Sequence, residues 1–266
     1  MGQEGIAILG DGCRIAWRMD GPDDARVLML SNSLGTTMAM WDDQIAAFSK
    51  HMRVLRYDTR GHGASSTTPG DYGLDRLGRD AVSLLDILGI EKVHFCGLSL
   101  GGMTAQWLAV FAPQRIRRLI LANTSPYMEP SEAWQQRMDL VRDYGMSAVA
   151  DAVIERWYTP SFTRRAPDQV SRTRETLLTT DANGYAGCCA AIRDMDLRPL
   201  TRLIEMPSLV IAGSLDPATP PDHAAMLADG IAGANLVTLR AAHLSNIECP
   251  EEFAAAVLNF LAQDCG

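Results

Sequence analysis

The first half of the chain alternates short apolar runs with longer amphipathic ones. Apolar or alternating runs predict strands at residues 14–20, 27–33, 53–58, 92–98 and 116–124. Between them, apolar positions at helical spacing predict helices near residues 41–49, 74–88 and 101–112. Apolar strands separated by helices are typical of a parallel sheet that is covered by helices on both faces.

This alternation stops after residue 124 and returns near residue 200. Between these points the chain has no strand-like run, and helical patterns occupy residues 131–144, 146–158 and 170–178. Later runs predict strands at 208–214 and 235–239 and helices at 222–228 and 251–263. We therefore expect an α/β core formed by residues 1–124 and 201–266, interrupted by a helical cap formed by residues 125–200.

Composition and charge narrow the classes of partner. The 266 residues are 47% hydrophobic and 21% charged, which is typical of a globular protein and excludes a disordered chain. The chain has 24 basic and 32 acidic residues, so its formal charge of −8 argues against binding to nucleic acid or to an anionic membrane. The sequence does not determine the oligomeric state, and a homo-oligomer is compatible with it.

Neither a membrane span nor a metal site is expected. No apolar run approaches the roughly 18 residues that cross a bilayer, and the first ten residues contain no basic residue, unlike a signal peptide. The six cysteines form no CxxC pair and no spacing with histidine that is typical of metal ligands. We expect reduced thiols in a cytoplasmic protein.

A serine lies at the junction between a predicted strand and a predicted helix. The strand at 92–98 runs directly into residues 97–101 (GLSLG), and the helical pattern follows at once. In a strand–GxSxG–helix unit the serine occupies a sharp, strained turn that exposes its hydroxyl, and the helix N-terminus favours negative charge nearby. We predict that Ser99 is a nucleophile; the alternative is a glycine-rich turn with an incidental serine.

His243 is the best candidate for the base that such a serine needs. In this arrangement the chain order is serine, acid, histidine, and three of the five histidines precede Ser99. His223 lies in a predicted helix only seven residues after the best acid, whereas His243 lies in a loop between a strand and the last helix. Of the earlier histidines, His62 is interpreted as a residue that organises its glycine-rich loop.

Asp216 is the predicted acid. It directly follows the strand at 208–214, and the active-site loops of open α/β sheets gather at the carboxyl ends of the strands. Its place before Pro217 also suits a turn, and the two roles are compatible. The other strand end where an acid could stand, after the apolar run LILA, carries Asn123 instead, which favours Asp216.

Two backbone N–H groups are expected to hold the oxyanion that forms during acyl transfer. One is the N–H of Leu100, the residue after the nucleophile, and the other comes from the loop at residues 31–36. We assign this second donor to Leu34. The alternative is that the loop, which contains Asn, Ser and Gly, is a turn without a catalytic role.

Four segments carry a resemblance to a known family. They read SNSLGTTMAMWDDQ from residue 31, YDTRGHGASS from residue 57, GLSLGGMTAQWLA from residue 97 and AAHLSNIECPEEF from residue 241. Over essentially its whole length the chain resembles the α/β-hydrolase superfamily, and within it the 3-oxoadipate enol-lactonases. Residues 32–35 and 243–248 are the most family-specific, and Cys249 is a minor departure that affects no catalytic position.

The resemblance implies an α/β-hydrolase fold and the hydrolysis of 3-oxoadipate enol-lactone to 3-oxoadipate, without a cofactor, in the β-ketoadipate pathway of bacterial aromatic catabolism. It also implies that Ser99 is the nucleophile, Asp216 the acid and His243 the base. A general carboxylesterase and a carbon–carbon bond hydrolase use the same triad under a similar cap, so both remain alternatives. A receptor with vestigial chemistry is disfavoured because all three triad residues are present.

The implied substrate is a small anionic lactone, and its carboxylate needs local recognition. Residues 126–200 contain nine arginines and eleven acidic residues, so the cap has no overall positive charge. Trp134 and Arg137 are three residues apart on one helix and share a face, so we predict that they clamp the carboxylate. The alternative is that the tryptophan packs the cap onto the core and the arginine is solvated. The remaining candidates are Arg156, Arg164 and Arg193.

Overall fold

An eight-stranded sheet passes through residues 2–263, the part of the chain that the computed structural model describes. Its strands are β1 (Gln3–Ile8), β2 (Arg14–Asp20), β3 (Val27–Ser31), β4 (Arg53–Tyr57), β5 (Val93–Leu98), β6 (Ile116–Ala122), β7 (Ser208–Gly213) and β8 (Asn235–Leu239). They lie in the order β1-β2-β4-β3-β5-β6-β7-β8. The β1–β2 and β2–β4 pairs are antiparallel and the other five are parallel. The mostly parallel sheet expected from the sequence is therefore confirmed.

Helices flank this sheet and fill the segment between β6 and β7. The first half contributes α1 (Asp42–Phe48), α2 (Leu74–Ile87) and α3 (Leu100–Phe111). The segment between β6 and β7 forms α4 (Ser131–Tyr144), α5 (Ser147–Trp157), α6 (Pro160–Arg165), α7 (Pro167–Leu178) and α8 (Ala182–Arg193). The last helices are α9 (Pro221–Gly230), α10 (Ser245–Glu248) and α11 (Pro250–Ala262). None of the helices described is long and apolar enough to cross a membrane.

Burial on both faces explains why the central strands are apolar throughout. Every residue of β5 and β7 is buried, and successive residues of a strand point to opposite faces of the sheet. Phe95 belongs to an apolar cluster that includes residues of α2, α3 and α9. Its neighbour Cys96 belongs to the cluster on the other face, which includes residues of α1 and α11. Helices therefore cover both sides of the sheet.

The helical segment leaves and rejoins the sheet at one place. Its two ends are joined by a hydrogen bond of 2.8 Å from the N–H of Leu197 to the carbonyl of Pro126. Within the segment α4 packs against α8, whose residues 184–192 are all buried. The division of the chain into a core and a cap formed by residues 125–200 stays a prediction.

The cysteines of the described part of the chain are free thiols. Four are buried, namely Cys13, Cys96, Cys188 and Cys189. The fifth, Cys249, is partly exposed. Burial raises the pKa of Cys189 to about 12, so this thiol is a poor nucleophile at neutral pH. The sixth cysteine, Cys265, lies outside the described residues.

Candidate active site

Ser99 occupies the turn between β5 and α3 in a strained backbone conformation. Its φ of 56° and ψ of −115° lie in a region that L-amino acids rarely adopt, at a cost of roughly 1–3 kcal/mol. The N–H of Ser99 donates to the carbonyl of Ala122 at 2.9 Å, and the hydroxyl of Thr124 donates to the Ser99 carbonyl at 2.7 Å. Ser99 is therefore fixed at the carboxyl end of β5, where the sequence predicts the nucleophile.

Gly97 allows the helix to return close to the strand. A Cβ atom at Gly97 would lie 2.1 Å from the carbonyl oxygen of Gly101, which belongs to the backbone and cannot move aside. The N–H of Gly101 in turn donates to the carbonyl of Asn32 at 3.0 Å. The GxSxG pattern thus has a steric cause, and the same turn fixes the neighbouring loop that carries Leu34.

Asp216 and His243 meet in the loops that follow β7 and β8. The Nδ1 of His243 lies 2.8 Å from Oδ2 of Asp216, and both side chains are buried. Because the carboxylate accepts, Nδ1 carries the proton, which leaves Nε2 as the basic nitrogen. The hydroxyl of Thr219 also donates to Oδ2 at 2.7 Å, and the N–H groups of Ala218 and Thr219 donate to Oδ1 at 2.8 and 3.0 Å. Donors on both oxygens therefore hold the carboxylate in one orientation.

The surroundings of Asp216 keep its carboxylate ionised. Burial alone would raise the pKa of Asp216, but the facing imidazole of His243 and the hydrogen bonds from His243, Asn123 and Thr219 outweigh this effect. Together they lower the pKa of Asp216 to about 2. A buried carboxylate that stays charged can orient an imidazole and stabilise an imidazolium.

The loop between β3 and α1 carries the predicted oxyanion donor Leu34. The N–H of Ser33 donates to Sδ of Met40 at 3.4 Å, and the N–H of Gly35 donates to Nε2 of His62 at 2.9 Å. Within residues 2–263 the N–H of Leu34 has no hydrogen-bond acceptor, as the predicted oxyanion role requires. Leu100 is the first residue of α3, where an N–H has no partner within the helix. The oxyanion role of both residues stays a prediction.

His62 fixes the conformation of the same loop. Its Nε2 accepts from Gly35, and its Nδ1 lies 3.2 Å from the carbonyl of Arg60, so Nδ1 carries the proton. Burial lowers the pKa of His62 to about 4, which keeps the imidazole neutral and able to accept at neutral pH. The contact with Arg60 lies within the glycine-rich loop that His62 is predicted to organise, and the contact with Gly35 shows that His62 also fixes the neighbouring loop that carries Leu34.

A cavity between the sheet and the cap brings most of the predicted site residues together. Five of them line it: Leu34, Ser99, Trp134, Arg137 and His243. Asp216 lies behind His243, and Leu100 is buried at the start of α3. The arrangement can accommodate acyl transfer to a serine, and the individual catalytic roles stay predictions.

Two arginines of the cap line this cavity without an acidic partner. The guanidinium carbon of Arg137 lies 4.6 Å from the centre of the Trp134 ring, and Arg156 approaches from α5. Within residues 2–263 no carboxylate oxygen lies within 4.0 Å of a guanidinium nitrogen of Arg137 or Arg156. Burial lowers the pKa of Arg156, and the like charge of Arg137 lowers it further. A bound anion would relieve the repulsion between the two guanidinium groups.

The two other candidate arginines do not meet the cavity. Arg193 pairs with Asp194 at 2.7 Å and with Asp71 at 3.2 Å. Arg164 is exposed on α6 and does not line the cavity. Of the four candidates named from the sequence, only Arg137 and Arg156 are therefore placed to contact a ligand near Ser99.

Comparison with known proteins agrees with this geometry. Residues 26–250 match the family model described as alpha/beta hydrolase fold. The chain belongs to the α/β-hydrolase family. It is 44% identical over 237 residues to 3-oxoadipate enol-lactonase 2 of Acinetobacter baylyi, covering 89% of each protein. It is 36% identical over 250 residues to 3-oxoadipate enol-lactonase 1 of the same organism, covering 94% of each.

Solved structures support the same α/β-hydrolase assignment. The enol-lactonase of Burkholderia xenovorans LB400 is 43% identical and superposes with a TM-score of 0.95. The match covers 97% of this chain and 100% of that one. The α/β-hydrolase fold class predicted from the sequence is therefore confirmed.

Sequence reasoning missed part of this α/β-hydrolase site. Position 123 is notable in the sequence only because it carries no acid, yet Nδ2 of Asn123 donates to Oδ2 of Asp216 at 2.9 Å. The signal was present, because Asn123 is a polar residue at the carboxyl end of an apolar strand. Tyr185 lines the cavity from α8, a helix without an apolar stripe, and nothing in the sequence singled it out.

His62→Gln should keep the hydrogen bond to the loop but remove the pH dependence that His62 gives to stability. Glutamine can offer an acceptor near the position of Nε2, but it does not titrate. The pKa of His62 is about 4 in the folded protein and about 6.5 in an unfolded chain. The stability that depends on neutral His62 is therefore complete above about pH 6.5 and is lost as the pH falls towards 4. Between about pH 7 and pH 4.5 this group alone should cost about 2 kcal/mol of unfolding free energy.

Urea unfolding at both pH values measures this loss. We expect the wild type to lose about 2 kcal/mol more than His62→Gln over the range. His51→Gln, at an exposed histidine, is the matched control and should behave as the wild type does. Equal losses in the wild type and in His62→Gln would contradict the role given to His62.

Proposed function

We propose that this α/β-hydrolase converts 3-oxoadipate enol-lactone to 3-oxoadipate in the β-ketoadipate pathway of bacterial aromatic catabolism. One observation carries the proposal: Ser99 on its strained turn and the carboxylate-bound His243 share a cavity with two arginines that have no acidic partner among residues 2–263. The identity to two enol-lactonases supports the choice of substrate. A cytoplasmic location, supported by the free thiols, and the absence of nucleic-acid or membrane partners belong to the same proposal.

Acylation opens the lactone ring. Nε2 of His243 removes the hydroxyl proton of Ser99 while Oγ attacks the lactone carbonyl carbon. The N–H groups of Leu34 and Leu100 donate to the resulting oxyanion. The bond from the acyl carbon to the ring oxygen breaks, and His243 returns the proton to the leaving enol oxygen. The enol then converts to the ketone, which draws the step forward.

Deacylation consumes one water molecule. His243 takes a proton from the water, whose oxygen attacks the acyl carbon of the Ser99 ester. The ester bond breaks and the proton returns to Oγ, so that one lactone and one water give one 3-oxoadipate without a cofactor. Asp216 stays ionised in both steps and stabilises the imidazolium, in keeping with its pKa of about 2.

The free carboxylate of the substrate binds to Arg137 and Arg156. Both guanidinium groups are only partly exposed, and charge-assisted hydrogen bonds are strong where water is excluded. The carboxylate also offsets the like charge of Arg137 that lowers the pKa of Arg156. Trp134 stacks on Arg137 and orients it. The cavity thus selects an anionic lactone over a neutral ester.

Steady-state turnover of the lactone, followed by loss of ultraviolet absorbance, tests the proposed function. We expect a strong preference for the lactone over a simple neutral aryl ester. Ser99→Ala should lower kcat by roughly 10⁴-fold or more, because the nucleophile is removed. Good turnover of the ester with poor turnover of the lactone would instead indicate a general carboxylesterase. Lactone turnover that survives in Ser99→Ala would exclude the serine mechanism.

Arg137→Gln and Arg156→Gln should each weaken binding of the anionic lactone. A hydrogen bond between charged groups contributes about 1.5–3 kcal/mol, so we expect KM for the lactone to rise by about 10–100-fold. KM for the neutral aryl ester should stay unchanged. Arg164→Gln, at an exposed arginine of the same cap, is the control and should affect neither substrate. Equal losses on both substrates would contradict a carboxylate-binding role.

A further inference from the structure

Asn123 lies between the predicted acid and the loop that carries the predicted base. It directly follows β6 and is buried. Its Nδ2 donates to Oδ2 of Asp216 at 2.9 Å and to the carbonyl of Ala242 at 3.2 Å, and its Oδ1 accepts from the hydroxyl of Ser245 at 2.5 Å. One side chain therefore contacts the acid and the chain on both sides of His243.

These partners determine how the amide of Asn123 is oriented. A carboxylate and a carbonyl oxygen can only accept, so they require the NH₂ side of the amide, and the Ser245 hydroxyl supplies a proton to the other side. The backbone N–H of Asn123 donates to the carbonyl of Ile211 in β7 at 2.8 Å. The φ of 42° is left-handed, a conformation that asparagine adopts more readily than most residues. Both the backbone and the side chain are thus fixed.

Gly213 makes room for this arrangement at the end of β7. A Cβ atom there would lie 2.4 Å from the carbonyl oxygen of Ala242 and 2.8 Å from Nδ2 of Asn123. The loop that carries His243 can therefore approach the ends of β6 and β7 closely because Gly213 has no side chain. The side-chain amide of Asn123 then connects this loop to Asp216. The amide of Asn123 therefore makes directed hydrogen bonds and does more than fill space.

We propose that Asn123 is a positioning residue that holds Asp216 and His243 in register for proton transfer. It does not line the cavity, so it acts through the acid and the base rather than on the substrate. Its donation also shares Oδ2 of Asp216 with His243, which moderates the attraction between the carboxylate and the imidazolium. The inference rests on the catalytic triad of the proposed function.

Few other titratable groups approach this cluster within residues 2–263. His223 of α9 interacts with the charge of Asp216, although burial is the larger effect and lowers the pKa of this histidine. Glu248 of α10 accepts the N–H of Ala242 at 3.3 Å, and burial raises its pKa. Neither side chain is hydrogen-bonded to Asn123. A pH profile that changes on substitution of Asn123 therefore reports on Asp216 and His243.

Asn123→Ala and Asn123→Asp test the proposal by lactone turnover across a range of pH. Asn123→Ala removes the donor, and we expect kcat to fall by about 10–100-fold with KM unchanged, because the residue does not contact the substrate. Asn123→Asp keeps the shape but replaces the NH₂ donor with an oxygen that faces the carboxylate of Asp216 and the carbonyl of Ala242. The repulsion between the two carboxylates is relieved when a proton binds to the pair or to the facing imidazole, so the acid limb of kcat/KM should move to higher pH by about one unit or more.

Three controls accompany these variants. Asn183→Asp adds the same charge at an exposed asparagine of α8 and should change neither kcat nor the pH profile. Ser245→Ala removes the hydrogen bond to Oδ1 but leaves the donor to Asp216, so its kcat should fall between those of the wild type and Asn123→Ala. Circular dichroism and thermal unfolding of each variant establish that the protein is folded.

The outcomes separate this proposal from the proposed function. Unchanged kcat and pH profiles in folded Asn123→Ala and Asn123→Asp, together with an inactive Ser99→Ala, would overturn the positioning role alone. A lower kcat in Asn123→Asp without a shifted acid limb indicates a merely structural residue and also overturns it. Turnover that survives in Ser99→Ala would overturn the triad, and the proposed function with it.

Discussion

The strained turn at Ser99 is the constraint on which the rest of the site depends. Its unfavourable backbone conformation, which costs roughly 1–3 kcal/mol, persists because β5 and α3 are buried on either side and because Gly97 leaves no Cβ to collide with the helix. The same turn binds the carbonyl of Asn32 through the N–H of Gly101. Ser99 and the loop that carries Leu34 are therefore parts of one hydrogen-bonded unit.

Charges in this site fall into two groups with different partners. Asp216 is satisfied within the protein by five hydrogen-bond donors, which keep the carboxylate ionised and its orientation unique. Arg137 and Arg156 line the cavity, and within residues 2–263 neither has an acidic partner. A charge that the protein satisfies fixes the orientation of its neighbours, whereas a charge without an acidic partner in a cavity is available to a ligand.

How much the sequence reveals depends on whether a feature has a periodic pattern or an order along the chain. Helices α2 and α4 were predictable because each has one apolar face. Helix α4 begins and ends at the predicted residues, and α2 ends one residue before its predicted end. Helix α8 was not predicted, because its small residues are buried on all sides and leave no apolar stripe. The order of Ser99, Asp216 and His243 along the chain predicts a triad, whereas the bond between Asn123 and Asp216 joins residues 93 positions apart and depends on the register of β6 and β7.

Covalent labelling tests the central claim, that Ser99 is a nucleophile activated by His243, most directly. The protein is treated with a fluorophosphonate, digested, and its peptides are analysed by mass spectrometry. We predict a single adduct on Ser99 in the wild type, no adduct in Ser99→Ala and much slower labelling in His243→Ala, since the hydroxyl then lacks its base. An adduct on a different residue, or labelling of Ser99 at the wild-type rate in His243→Ala, would contradict the account.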